Sequence, residues 1–138
     1  MKLLKYSLLF VSSLGILLAA PASADKSSEV RLKIIDDKNG IVSLNAIVKP
    51  NDGMVINHDG PWKLVLKDVT GLSFSLSIFE KKDFDDAVPG FKLSGKWNDA
   101  KTQNGSIGYE YTVFVCTSSK DKCFRDVHKG ALGVKRRS

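Results

Sequence analysis

Cys116 and Cys123 are the residues of this 138-residue chain whose type and spacing most directly offer chemistry. Six residues separate them, Thr117-Ser118-Ser119-Lys120-Asp121-Lys122, so the pair lacks the two-residue spacing of CxxC redox catalysts. Two readings stay open. As a redox pair it would exchange with other thiols, a partner thiolate attacking one sulfur and the second cysteine resolving the mixed disulfide. Lys120, Lys122, Arg125 and His128 would then favour the thiolate form of one cysteine. As a structural disulfide it would only pin a hairpin, and so short a closed loop is worth about 2–3 kcal/mol in the chain-entropy model.

Other chemistry finds less support. His58 and His128 with the two cysteines offer four zinc donors, but none follows a ligand spacing and an oxidising compartment competes for the thiols. No metal or cofactor is therefore expected. There is no nucleophile elbow, paired-carboxylate signature or phosphate-cradling glycine loop. Asp36-Asp37 and Asp85-Asp86 are adjacent, so their side chains diverge on a strand and read as solvated acids. Tyr109, Tyr111 and Phe114 alternate as core aromatics do, and the basic residues form no aromatic-interleaved patch for nucleic acid.

The elements that must position the cysteines read as strands. Leu72, Phe74, Leu76 and Ile78 alternate with serines; Phe91, Leu93 and Trp97 alternate with Lys92, Ser94 and Lys96. Trp62, Leu64 and Leu66 share a side, as do Ile107, Tyr109, Tyr111, Val113 and Val115. This is the period of a half-buried strand, and no window shows a comparable helical stripe. Turn residues fall at Asp37–Gly40, Pro50–Gly53, Pro89-Gly90 and Gln103–Gly105, and the Asn-Gly pairs favour tight hairpin turns. About eight strands follow, near residues 29–36, 40–49, 53–58, 62–68, 71–79, 90–98, 105–116 and 123–134, with one helical turn within Glu80–Ala87. Cys116 would end one strand and Cys123 open the next, where a hairpin brings Cα atoms within about 5.5 Å, close enough for a disulfide. Such short, evenly spaced strands point to an antiparallel β-sandwich.

The first residues place the chain. Lys2 and Lys5 precede an apolar run from Tyr6 to Ala20 and then Pro21-Ala22-Ser23-Ala24. This is the order of a secretory signal peptide, residues 1–24, with cutting expected after Ala24. The run is too short to be read as a transmembrane anchor. Removing residues 1–24 from the 138 leaves 114, enough for one domain, residues 25–138, with a real core. Loss of Lys2 and Lys5 lowers the formal charge from +6 to +4, an excess partly gathered in Lys135-Arg136-Arg137, which reads as a solvated tail. Export to the periplasm, or secretion, would oxidise the single cysteine pair.

Two segments carry a family resemblance. Gly53-Met54-Val55-Ile56-Asn57-His58-Asp59-Gly60-Pro61-Trp62-Lys63-Leu64 resembles the Gly-aromatic-His-aliphatic-Asn…Pro segment of a set of small exported bacterial domains. Val113-Phe114-Val115-Cys116, a polar loop and Cys123 resemble their paired-cysteine hairpin. These domains are similar to the N-terminal periplasmic domain of the thiol:disulfide interchange protein DsbD and to the β-rich domain that follows NHL repeats in some thioredoxin-like proteins. The resemblance implies an immunoglobulin-like antiparallel β-sandwich that passes electrons between a membrane partner and periplasmic thioredoxin-fold proteins. Only Cys116 and Cys123 inherit that role. Met54 and Val55 stand where the family has an aromatic residue and a histidine, and the loop between the cysteines is longer than in DsbD.

The sequence thus predicts an immunoglobulin-like, all-β domain in the periplasm, a monomer after signal cleavage, with neither membrane span nor nucleic-acid partner. Its leading expected role is thiol:disulfide exchange or electron relay through Cys116 and Cys123, with periplasmic or membrane thiol-disulfide proteins as partners. The alternative is a non-catalytic protein-binding domain in which the disulfide is structural and a sheet face or edge docks the partner.

Overall fold

The computed structural model describes residues 26–137, and the leader expected over residues 1–24 lies outside them. Among the described residues the period-two alternation becomes nine strands: β1 (Ser28–Asp36), β2 (Ile41–Pro50), β3 (Met54–Ile56), β4 (Lys63–Thr70), β5 (Leu72–Phe74), β6 (Ile78–Glu80), β7 (Gly90–Trp97), β8 (Asn104–Thr117) and β9 (Cys123–Lys135). All of their pairings are antiparallel. One sheet runs β1-β2-β7-β5. In the other, β8 carries β9 along one side and β3 and β4 end to end along the other, with β6 outside β4. The protein is an all-β antiparallel sandwich, and its strand order matches the ABED and GFC sheets of immunoglobulin-like folds.

The alternating positions bury as their period requires. Val42, Leu44, Ala46 and Val48 of β2 and Phe91, Leu93 and Trp97 of β7 face Leu64 and Leu66 of β4 and Ile107, Tyr111, Val113 and Val115 of β8. Trp62, 1% exposed, heads β4, stacks on Phe84 at 4.5 Å between ring centroids and meets Phe114 edge-on at 6.1 Å. Its Nε1–H donates to the Asn57 carbonyl at 2.8 Å, so the indole is buried without an orphaned donor. Tyr111 donates to the Ala46 carbonyl at 3.3 Å, tying the sheets together, and burial pushes its phenol well above the ordinary tyrosine range.

One expected strand is divided. Residues 71–79 do not form a single strand with Leu72, Phe74, Leu76 and Ile78 on one face: β5 joins β7 in one sheet and β6 joins β4 in the other. Leu72 is buried, whereas Leu76 and Ile78 are 52% and 45% exposed, and Phe79 takes over the inward position. The expected turn at Gln103-Asn104-Gly105 is also absent, because Asn104 and Gly105 lie within β8. Leu72 packs on Gly105 so closely that a Cβ there would stand 2.6 Å from Leu72 Cγ, which is why glycine occupies a strand. The Asp37–Gly40 turn does form, with Lys38, Asn39 and Gly40 all at positive φ. The helical turn expected within Glu80–Ala87 is the 3₁₀ turn Lys81–Asp83.

Candidate functional site

β8 and β9 bring the cysteines directly opposite each other, Cys116 paired with Cys123, at a Cα–Cα distance of 3.9 Å. The two are disulfide-bonded, with S–S 2.02 Å. Beyond them the chain turns tightly: the Thr117 N–H donates to the Lys122 carbonyl at 2.8 Å, and the Lys120 N–H donates to the Thr117 carbonyl at 2.7 Å. Lys120 takes a left-handed conformation to close this turn. Ser118 donates through both its N–H and its hydroxyl to the Gly53 carbonyl, each at 3.0 Å, anchoring the hairpin tip to the turn before β3.

The two sulfur-bearing residues sit in unlike surroundings. Cys116 is 5% exposed, with Val55 of β3 beside it in register. Phe114, next along the same face of β8, is covered by the loop before β4: a Cβ on Gly60 would stand 2.4 Å from Phe114 Cγ. Cys123, on the edge strand, is exposed, as are Lys120, Lys122 and Arg125 around it. The side that a dissolved thiol can approach is therefore that of Cys123.

The histidines do not join the cysteines. His128 lies five residues along β9, on the face opposite to Cys123, paired with Tyr111, so it is not placed to favour a cysteine thiolate. Instead its Nε2 lies 3.0 Å from the Ser28 hydroxyl, which donates to Asp126 Oδ2 at 2.5 Å. With its one proton given to Asp126, the hydroxyl can only accept from His128, so the imidazole is not placed to act on it as a base. The three side chains latch β1 to β9. Burial chiefly, with the nearby Lys26 ammonium, holds the His128 imidazole below the ordinary histidine range, while Asp126 opposes them. His58 pairs with Asp86 at 2.7 Å, in exposed loops. Among the described residues, no group of three or more His, Cys, Asp or Glu side chains could hold a metal ion.

Two further expectations are corrected at the opposite end of the sandwich. Asp36 is not a solvated acid: it is 6% exposed and accepts from the Arg137 N–H at 2.8 Å, Trp97 Nε1–H at 3.3 Å and the Lys38 N–H at 3.3 Å. The Arg137 N–H is the main cause holding its carboxyl below the ordinary range. Asp37 diverges from it as adjacency requires, accepting from the Ser43 hydroxyl. Nor is the basic tail free. Lys135 belongs to β9, and Arg136 lies over the Trp97 ring at 5.4 Å while Nη1 donates to the Asp99 and Thr102 carbonyls at 2.8 and 3.3 Å.

The Ser28–Asp126–His128 latch and the Asp36–Trp97–Arg136 clasp escaped the sequence reading. Their members lie about a hundred and about sixty to a hundred positions apart, and no local pattern links them. Fold and site together define an all-β sandwich with one cross-strand disulfide at the end of its longest hairpin. No protein-family model, curated protein or solved structure matches the chain. No helix among the described residues is long and apolar enough to cross a membrane.

Proposed function

We propose that Cys116 and Cys123 form a thiol:disulfide exchange couple of the periplasm, with Cys123 as the sulfur that partners attack. The observation that carries this reading is the asymmetry of the pair: Cys123 is exposed among Lys120, Lys122 and Arg125, and Cys116 is 5% exposed. A partner thiolate forms a bond to Cys123 Sγ, the Cys116–Cys123 bond breaks, and Cys116 leaves with the electron pair as a thiolate. The partner's second thiolate then attacks its own sulfur in the mixed disulfide and releases Cys123. The partner dithiol is thereby oxidised by two electrons and the domain reduced. In the reverse sense, reduced Cys123 attacks a downstream disulfide and Cys116 resolves it.

Equilibration of the purified protein in glutathione and dithiothreitol buffers tests this. A reduction potential above about −300 mV is expected, in the range where exchange partners operate. Cys116→Ser should accumulate mixed disulfides with exported thiol proteins, whereas Cys123→Ser should not. A potential below that range, with no trapped species from either variant, overturns the relay.

A second reading, a non-catalytic protein-binding domain with a structural disulfide, is favoured by one observation: among the described residues, no strand pairs with the outer edge of the long strand β9. Under that reading, replacement of both cysteines by serine costs stability and leaves partner binding intact.

A further inference from the structure

β1 and β9 run side by side in the same direction without pairing, so among the described residues this flank of the sandwich is open. They are tied at one end by Lys26, whose ammonium donates to the Val127 carbonyl, and by the Ser28 latch. At the other end the Arg137 N–H donates to Asp36. Between the ties lies a cleft of about 510 Å³ floored by Val30, Leu32, Tyr109 and Leu132, with Arg31 and Lys33 as its charged lining residues and no carboxylate among them. The Tyr109 side chain lies against Gly130, where a Cβ would stand 2.6 Å from the phenol oxygen, so no side chain of β9 fills the space at that position.

The edge of β9 supplies the hydrogen-bonding half of a binding site. The bonds Thr117 N–H to Lys122 and Arg136 N–H to Gln103 set the phase of the β8–β9 ladder. By the alternation of antiparallel pairing, the N–H and C=O groups of Lys129, Ala131 and Gly133 point away from β8. All three residues are exposed. Farther up the strand the Val127 carbonyl, on the same edge, is already taken by Lys26.

We infer that this flank binds an extended segment of a partner protein as an added strand on β9, with apolar side chains on the cleft floor and acidic side chains on the face of Lys129, in a cleft that Arg31 and Lys33 also line. The inference rests on the protein-binding reading above and is independent of the relay. Strand addition is the mode that an unpaired edge beside an apolar cleft supports. Charge selects the occupant. Glu110 meets Lys129 only at 3.8 Å while it holds Lys67 at 2.9 Å, so the flank keeps a basic excess. A second copy pairing antiparallel through β9 would bring together two strands that each carry Arg125, Lys129 and Lys135, basic strip beside basic strip, whereas an acidic segment is attracted.

The test uses nuclear magnetic resonance titration of the uniformly ¹⁵N-labelled protein with a blocked octapeptide alternating valine and glutamate. Amide shifts confined to residues 30–33 and 129–133 are expected, with binding at least about tenfold weaker for the valine–lysine counterpart. Ala131→Pro removes an edge donor without touching the β8 ladder, so the fold should persist and peptide binding should fall by about tenfold or more. Equal binding of both peptides, or unchanged binding by the proline variant, overturns the inference. So does the absence of any shift at millimolar peptide. Shifts on another surface overturn the groove while leaving the binding-domain reading standing, and a dimer in sedimentation that Ala131→Pro dissociates replaces the partner with a second copy.

Discussion

The two ends of the sandwich are closed by opposite means. At one end a covalent bond joins residues seven positions apart, on strands that the β8–β9 ladder already holds in register. At the other, residues as far apart as Asp36 and Arg137 meet through hydrogen bonds and the Arg136–Trp97 stack, with no covalent link. A crosslink placed where local pairing already aligns the chain can open and close without dissolving the fold. Contacts that gather distant segments cannot. The difference makes the tail end the larger contributor to stability and, under the relay proposed above, leaves the hairpin end free for reversible chemistry.

Three measurements sharpen or break this contrast. The largest effect is expected from Trp97→Ala, which empties a buried indole site, frees one acceptor position on Asp36 and removes the surface under Arg136. It should cost about 3–5 kcal/mol, read as a lower denaturant midpoint. Replacing both cysteines by serine should cost about 2–3 kcal/mol, the entropy of a short loop, with the far-ultraviolet circular dichroism of the sandwich retained. If the cysteine variant loses more stability than Trp97→Ala, or loses its sheet signal, the disulfide is the structural member of the pair and the contrast fails.

The smallest effect is expected from the latch beside the hairpin end. Because the His128 pKa is lower in the folded chain than in the unfolded one, the unfolded state binds more protons across that window. Stability is therefore full above about pH 6.5, the unfolded value, and declines as the pH falls through the depressed folded value. His128→Gln should flatten the slope of denaturant midpoint against pH between about 5 and 7 relative to the unsubstituted chain. An unchanged slope would mean that Ser28 and Asp126 hold β1 to β9 without the imidazole's titration.

Much of the architecture was legible because it is written at period two. Trp62, Leu64 and Leu66, or Ile107, Tyr111, Val113 and Val115, announce one buried face each, and the Cys116–Cys123 hairpin follows from strand ends and a polar loop. Where the reading failed, a tertiary neighbour overrode a local signal. Gly105 follows asparagine as turn glycines do but sits within β8 because Leu72 packs on it, and the run from Leu72 to Ile78 alternates without a break although its halves belong to different sheets.

The sequence by itself determined the all-β class, the core alternation and the single disulfide, because each depends on residues near one another or on a choice with one solution. Only the tertiary structure decided which cysteine faces solvent, that Asp36 and Arg136 are held rather than solvated, and that, among the described residues, the flank between β1 and β9 is open. Those properties arise where segments a hundred residues apart come together, and burial there depends on the whole packed arrangement, which no local spacing encodes.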